Sequence, residues 1–195
     1  MRPKPYLDGK MLIAMPGMSD ARFSRSLIYL CAHSENGAMG IIVNKPSHEL
    51  SFLDLLDRLG VVPPGELRSI PDVLASTRVH FGGPVEPGRG FVLHSSDYFS
   101  GENSMPVDER IALTATLDIL RDMTIGQGPD RSFIALGYAG WGPGQLDDEI
   151  LRNGWLHCDS DAELIFGTDN ELKYGSALGK IGVDPLMLSA EAGHC

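Results

Sequence analysis

The chain has 195 residues, of which 43% are hydrophobic and 22% are charged, as in an ordinary soluble globular protein. Its 16 Lys and Arg against 26 Asp and Glu give a formal net charge of −10, which argues against direct nucleic-acid binding because Lys and Arg carry the contacts to phosphates. The three cysteines lie far apart, and no apolar run is long enough for a signal-peptide core or a membrane span. We therefore predict a cytoplasmic protein with one domain over residues 1–195, in which residues 1–8 form a flexible N-terminal extension.

The first third of the chain predicts three strands and then a helix. The strands are short, apolar on both faces and rich in strand-forming residues, and they cover 11–15, 26–32 and 39–44. An Asn-Gly pair at 36–37 favours a hairpin between the second and third strands. Ser51 is placed to cap a helix over 51–60, whose leucines repeat at helical spacing. Residues 61–76, which contain three prolines, predict an irregular surface connection.

Strands and helices alternate in the rest of the chain. Segments 78–83 and 90–95 predict two strands joined by a hairpin connection, and Thr116 is placed to cap a helix over 117–124 with Leu117, Leu120 and also Met123 inward. The further predicted elements are a strand at 131–139, a helix at 143–153, a strand at 155–158, a segment of ambiguous type at 163–166 and a helix at 171–182. Hairpins come first and no βαβ rhythm appears, so the pattern favours an α+β fold.

The stretch GYAGWGPGQLDDEI at 137–150 suggests a phosphate-binding loop but fails both tests for one. Its glycines lack the G-x-G-x-x-G spacing, and no Gly-Lys-Ser/Thr follows them. Three carboxylates in the first turns of the next helix would also repel a phosphate. We therefore interpret the glycines as serving a strand-to-helix corner, whose Tyr138, Trp141 and Gln145 can wall a shallow pocket.

Other patterns give no catalytic residue, cofactor or metal site. No G-x-S-x-G or S-x-x-K motif occurs, and the six histidines never pair at i,i+3 or i,i+4. Cys31 and His33 lie two residues apart on one strand, where a buried structural cysteine is the simpler interpretation. Asn44-Lys45 follows a strand, where the lysine either meets an anionic ligand or lies in a solvated turn. The sequence therefore favours a protein that is not an enzyme.

Blocks spread over the chain resemble one family. They are GKMLIAMP (9–16), FSRSLIYLCAH (23–33), GAMGIIVNKP (37–46), FGGPV (81–85), RGFVLH (89–94), GYAGWGPGQLDDE (137–149), NGWL (153–156) and AGH (192–194). Their content and order are similar to those of the YqgE/AlgH family of bacterial cytoplasmic proteins, often labelled transcriptional regulators. The resemblance departs from the family pattern at Tyr174, where Trp is common, and at Cys195, where Ala is usual.

The resemblance implies an α+β fold in which a bifurcated, mostly antiparallel sheet with a small closed β-barrel is surrounded by helices. It implies no established reaction. The family motif residues that it carries onto this chain are Arg25, Ser26, His33, Asn44, Lys45, Gly82, Gly83, Pro84, His94, Tyr138, Trp141, Gln145 and Trp155. All of these except Pro84 and Trp155 are retained as candidate residues for binding a ligand or a partner.

Three functional hypotheses follow. The first is a non-catalytic binding or regulatory protein that contacts an unidentified protein or small molecule and affects transcription only indirectly. The second is a small-molecule-binding protein or enzyme with a pocket near Asn44-Lys45, Gly82-Gly83, His94 and Tyr138–Trp141, which requires these groups to meet in one cavity. The third is a homo-oligomeric interaction module that uses exposed aromatic side chains.

Overall fold

A computed structural model describes residues 5–167 and 169–188 of the chain. Its strands are β1 (Lys10–Ala14), β2 (Leu27–Ser34), β3 (Gly37–Ile42), β4 (Pro46–Ser51), β5 (Arg78–Phe81), β6 (Val85–Ser95), β7 (Ser104–Pro106), β8 (Ile111–Thr114), β9 (Ser132–Trp141) and β10 (Trp155–Asp159). Its α-helices are α1 (Phe52–Arg58), α2 (Asp72–Ala75), α3 (Leu117–Thr124), α4 (Gln145–Leu151), α5 (Ala162–Phe166) and α6 (Asn170–Lys180). The mixture of a mostly antiparallel sheet with separate helices confirms the predicted α+β class.

Strand β9 is the point at which the sheet divides. Its residues 134–136 pair in parallel with β5, and its residues 139–141 pair antiparallel with β3. Strand β6 runs antiparallel to β9 and pairs with residues 132–136 and 138. From β3 the sheet continues through β2 and β1 to β10, and from β6 it continues through β8 to β7, while β4 extends β5.

The sheet is strongly curled, like half of a barrel, but the small closed barrel implied by the resemblance is not present. Among the strands of residues 5–167 and 169–188, the pairings form an open path with a branch, and no ring of pairings closes. The predicted bifurcation therefore holds as a branch at β9, whereas the predicted closure is wrong. The edge strands β7 and β4 both contain proline, which suits an edge because it cannot donate a ladder hydrogen bond.

The predicted hairpin between 78–83 and 90–95 is also wrong, because β9 lies between β5 and β6. The chain instead crosses β9 at Gly82 and Gly83. A Cβ atom at Gly83 would lie 2.0 Å from the carbonyl carbon of Tyr138, and one at Gly82 would lie 2.3 Å from the carbonyl oxygen of Gly137. Only glycine permits two backbones to approach this closely, so these residues serve the crossing.

Three buried apolar clusters surround the sheet. One joins β1–β3, β6 and β9 to α5 and α6, a second packs α1 and α3 on the other part of the sheet, and a third packs α4 near Trp155. The predicted surface connection at 61–76 belongs to the second cluster, since Val61, Val62 and Ile70 are buried there. The prediction of an irregular surface connection is therefore wrong in part, because these apolar residues pack into the core despite the prolines and 72–75 form the short helix α2.

Helix boundaries were predicted better than helix faces. Helix α1 begins after Ser51, whose hydroxyl accepts from the Asp54 N–H at 3.1 Å, so the predicted cap is confirmed. Helix α3 spans the predicted residues and buries Leu120 and Met123, but Leu117 is 42% exposed and Ile119 is buried in its place. The predicted Thr116 cap is wrong, because the Thr116 side chain makes no capping hydrogen bond. The chain before β1 also contacts the fold, because the Asp8 carboxylate accepts from the His33 N–H at 2.8 Å.

Candidate functional site

Glycines build the corner between β9 and α4, and an asparagine in the left-handed region lies in the turn between α4 and β10. Gly144 has φ 73° and precedes α4, and the Gly142 N–H donates to the Gln145 side-chain oxygen at 2.9 Å. The helix stops at Asn153, which has φ 58°, and the Gly154 N–H then donates to the Glu149 carbonyl at 2.8 Å. This αL ending is a common way to terminate a helix. It brings the start of β10 back beside the end of β9.

Glu149 on α4 holds both tryptophans of the chain. Its Oε2 accepts from the Trp141 Nε1–H at 3.0 Å and from the Trp155 Nε1–H at 2.8 Å, and these are the two tryptophans of the sequence. Its Oε1 accepts from the Gln145 Nε2–H at 2.9 Å. Three donors thus stabilise the carboxylate without a cation, and the two indole rings are fixed edge to face with centroids 5.8 Å apart.

Both tryptophans line a cavity of about 950 Å³, which we call the tryptophan groove, and both are largely buried, with Trp141 7% and Trp155 2% exposed. Its apolar wall is formed by Met15, Met18, Phe23, Trp141, Trp155 and Met187. Phe23 packs edge to face on Trp155 with centroids 5.7 Å apart. The volume lies within the range of roughly 300–1,000 Å³ that is usual for small-molecule sites.

Charged side chains on the groove wall differ in how they are paired. Arg22 donates from Nη2 and Nε to the Asp20 carboxylate at 2.7 and 3.0 Å, and these hydrogen bonds lower the pKa of Asp20 and raise that of Arg22. The Lys45 ammonium lies behind them and donates to the Arg22 carbonyl at 2.6 Å. Burial lowers the pKa of Lys45. Within residues 5–167 and 169–188, the Arg152 backbone N–H donates to the Asp148 carbonyl, but the Arg152 side chain has no hydrogen bond or ion pair.

The sequence of the chain is similar to those of known proteins. The AlgH-like family model (DUF179) matches residues 11–186. The chain belongs to the AlgH-like family. A UPF0301 protein of Bradyrhizobium diazoefficiens is 59% identical over 189 residues, which cover 97% of this chain and 88% of that protein. A UPF0301 protein of Rhodopseudomonas palustris strain BisB18 is 58% identical over 97% of this chain and 89% of its own length.

Solved structures agree with this assignment. The solution structure of the AlgH protein from Pseudomonas aeruginosa has a TM-score of 0.77 and 37% identity, with full coverage of both chains. A crystal structure of a Corynebacterium diphtheriae protein has a TM-score of 0.67 at 20% identity, covering 96% of this chain and 92% of that one, and shows likeness of fold alone. The names of these AlgH-like relatives state no reaction.

In this AlgH-like chain, the predicted site residues do not meet in one cavity. Trp141 and Gln145 line the tryptophan groove. Tyr138 lines a shallower depression of about 560 Å³, which shares Val85, Gly140 and Trp141 with the groove. The remaining predicted residues line neither, and the structure shows what each of them contacts.

Arg25, Ser26, Asn44 and Lys45 form a structural junction behind the groove. The Asn44 side chain accepts from the Leu27 N–H and donates to the Arg25 carbonyl, each at 2.9 Å. The Arg25 guanidinium covers the ring of Tyr174 at 4.7 Å, and the Tyr174 hydroxyl donates to the Ala14 carbonyl at 2.6 Å. Ser26 is fully buried, with no partner for its hydroxyl among the described residues. Tyr174, a departure from the family pattern, is therefore well packed.

The two predicted histidines are buried in separate places. His33 Nδ1 accepts from the Leu7 N–H at 3.2 Å, and its Nε2 lies 3.8 Å from the Asp147 carboxylate. His94 lies within hydrogen-bond distance of the Ser95 carbonyl through Nδ1 and of the Thr114 hydroxyl through Nε2. Neither histidine lines the tryptophan groove or the depression at Tyr138. The AGH block at 192–194 and Cys195 lie outside the described residues.

Sequence reasoning missed several groups. It assigned Glu149 to the helix N-terminus, although a carboxylate between the chain's two tryptophans, each with an N–H to satisfy, is a usable signal. It also missed a buried cluster of His80, Asn170 and Lys173. Lys173 is 3% exposed and donates to the carbonyls of Val43 and Ile165 at 2.8 and 2.9 Å, and burial lowers its pKa to about 8.

The described residues contain neither a cluster of metal ligands nor a helix that could span a membrane. No group of three or more His, Cys, Asp or Glu side chains within 5–167 and 169–188 is arranged to hold a metal ion. In the same residues, the helices are too short and too polar to cross a membrane.

Proposed function

We propose that this AlgH-like protein is a non-catalytic binding protein whose small-molecule ligand enters the tryptophan groove. The observation that carries the proposal is that both tryptophans of the chain lie on one cavity wall and are fixed there by a single carboxylate. Rigid aromatic walls with few polar groups are typical of ligand sites. The oxygens of Glu149 already accept three hydrogen bonds, so this carboxylate is poorly placed to act as a general base.

We further propose that the protein acts in the cytoplasm and that any influence on transcription is indirect. The net charge of −10 opposes the phosphate contacts on which DNA binding depends. A gel shift at physiological ionic strength tests this part. We expect no salt-dependent complex with promoter DNA, and a complex weakened by added salt would contradict it.

The exposed apolar residues near the groove favour a second role in protein contacts. Met187 lines the groove and is 82% exposed, its neighbour Leu186 is 84% exposed, and Leu151 beside Arg152 is 80% exposed. Apolar side chains grouped in this way often mark an interaction surface. Self-association would account for them, and light scattering over a range of concentrations tests it. A monomer at every concentration would contradict self-association.

Ligand binding can be tested with the chain's own tryptophans. A metabolite library is screened by thermal shift, since a ligand of the native state raises the melting temperature, and each compound that raises it is titrated while tryptophan emission is recorded. Because both tryptophans line the groove, a ligand in the groove should change emission. A compound that stabilises the protein without changing emission binds elsewhere and contradicts the proposal.

A matched pair of variants sharpens the test. Gly17 lines the groove, and a Cβ atom there would have no neighbour within 4 Å, so Gly17→Leu adds bulk at the groove wall without disturbing the fold. Gly65 has equally open surroundings but lies outside the groove, so Gly65→Leu is the control. We expect binding to weaken in Gly17→Leu only. Equal binding by both variants would place the ligand outside the groove.

A further inference from the structure

The tryptophan groove has a chemical asymmetry that bears on its ligand, and the inference drawn from it rests on the proposed binding function. Its wall carries two carboxylates and two guanidinium groups, so it is neutral by count. The count is misleading, because the groups differ in what already neutralises them.

Both carboxylates of the groove are occupied. Asp20 receives two N–H groups of Arg22, at 3.0 and 2.7 Å, and a third hydrogen bond from the Arg22 backbone. Glu149 receives the two indole N–H groups and the Gln145 amide. A cationic ligand would therefore have to displace existing hydrogen bonds to reach either carboxylate, which is unfavourable.

Arg152 is the remaining charge, and it differs from Arg22. Within the residues that the structure describes, the Arg22 guanidinium is paired with Asp20, whereas the Arg152 guanidinium has no acidic partner and no hydrogen bond. Its position next to Asn153 at the end of α4 places it on the groove wall, where its planar group can bind a carboxylate through two parallel N–H donors.

The rest of the wall is suited to an apolar body of variable shape. Phe23, Trp141 and Trp155 supply rigid rings. Met15, Met18 and Met187 supply flexible thioethers, which adapt to the shape of a ligand. One cation without an acidic partner beside this wall fits one negative charge better than several, and the net charge of −10 would repel a polyanion.

We propose that the tryptophan groove binds a small apolar carboxylate, with its hydrocarbon or aromatic body against the indoles and thioethers and its carboxylate on the Arg152 guanidinium. The ligand class follows from three features that lie together: two carboxylates, Asp20 and Glu149, that already accept hydrogen bonds, the Arg152 guanidinium without a partner among the described residues, and an apolar cavity. It defines the proposed binding function more narrowly and can fail while that function stands.

The test compares two probes of the same shape and different charge, 4-phenylbutyrate and its primary amide. Each is titrated into the full chain, with tryptophan emission and calorimetry as readouts. We expect the carboxylate to bind about three- to tenfold more tightly than the amide, as for a partly exposed charge-assisted pair. We expect Arg152→Gln to remove this preference while leaving the affinity for the amide unchanged, and Arg152→Lys to keep part of it.

Arg68 is exposed and lies far from the groove wall, so Arg68→Gln is the matched control and should keep the preference. Equal affinities of the wild-type chain for the two probes would overturn the ligand class, and so would a preference that survives in Arg152→Gln. Failure of both probes to change tryptophan emission would overturn the ligand class as well. Other library compounds that change emission would, in each case, leave the proposed binding function intact.

Discussion

The tryptophan groove and the His94 region differ in whether their polar side chains have hydrogen-bond partners. Around His94, every polar atom has a partner: the Ser100 N–H donates to the Ser104 hydroxyl at 3.1 Å, and hydroxyls 2.8 Å apart connect Ser104 to Thr114 and Thr114 to His94 Nε2. A neutral His94 with its proton on Nδ1, donating to the Ser95 carbonyl, satisfies the whole chain. In the groove, Asp20 and Glu149 are hydrogen-bonded to other side chains, whereas the Arg152 side chain lines the cavity without a partner among the described residues.

The difference teaches how to separate structural from functional polar residues. Residue type did not distinguish them, since His94 and Trp141 were both candidate site residues. The state of the hydrogen bonds does separate His94 from Arg152, because a polar group whose donors and acceptors are all used internally has nothing to offer a ligand. The indole N–H of Trp141 is also used, by Glu149, so Trp141 can offer a ligand only its ring. We therefore expect changes in sealed places, such as the His94 region and the crossing of β5 and β9, to lower the free energy of unfolding without altering ligand specificity. Changes on the groove wall should alter ligand specificity and have a smaller effect on the free energy of unfolding.

The largest expected effect is at the sealed crossing of β5 and β9. Gly83→Ala should lower the free energy of unfolding by about 4 kcal/mol or prevent folding, because the new Cβ would meet the Tyr138 carbonyl. Gly142→Ala, in the block at 137–149, is the control, since its Cβ would lie 3.8 Å from the nearest side-chain atom. Chemical denaturation measures both. A stable Gly83→Ala protein would show that the crossing is looser than the structure indicates.

A smaller effect should follow from pH at the buried His80. Burial is the main reason that the pKa of His80 falls to about 4, with Lys173 and Arg78 adding repulsion. The unfolded chain, with an ordinary histidine pKa near 6.5, binds more protons between these values. His80 therefore contributes full stability above its unfolded pKa, and that contribution is lost as the pH falls toward 4. From pH 7 to pH 5, the loss should be about 2 kcal/mol.

Unfolding at several pH values, in three proteins, checks this expectation. His80→Gln should flatten the pH dependence below pH 7 relative to the wild type, whatever it does to stability at pH 7. His48 is exposed, so His48→Gln should leave the dependence unchanged. If His80→Gln retains the full slope, other groups cause it.

The smallest of the three effects should occur at Glu149, on the inner side of the groove. Glu149→Gln keeps the shape but replaces one acceptor oxygen with a donor, so one of the three hydrogen bonds is lost, at about 1 kcal/mol. Tryptophan emission should shift, because both indoles change surroundings. Glu102→Gln, at an exposed residue of another loop, should change neither property. Unaltered emission in Glu149→Gln would mean that the carboxylate does not position the indoles.

Much of the fold was predictable because local signals agreed with it. The apolar runs of β1, β2 and β9 and the Ser51 cap of α1 were recognised because their causes are local. Strand β4 was missed because its residues are polar, start with a proline and face solvent in part. Pairings were beyond local reasoning, since the insertion of β9 between β5 and β6 depends on residues about fifty positions away.

The site was predictable only in part, for a similar reason. The signature at 137–150 led to Trp141 and Gln145, and both line the groove. The family resemblance supplied Trp155 without its role. Arg152 had no motif to identify it, because what distinguishes it is the lack of an acidic partner, a property of the folded surroundings. Gly82 and Gly83 were named as binding candidates, and the structure gives their small size another role, which is to permit the backbone crossing.

The branch at β9 has a consequence for how the protein is made. Strands β3, β5 and β6 leave the ribosome early, yet the strand that all three pair with ends only at Trp141. Until that residue emerges, the nascent chain holds three strands without their common neighbour. The strand edges that will pair with β9 then lack hydrogen-bond partners, and the apolar side chains of these strands stay exposed. Non-local pairing of this kind slows folding and prolongs exposure to aggregation. Chaperone demand should therefore be greatest while residues 82 to 141 are being synthesised.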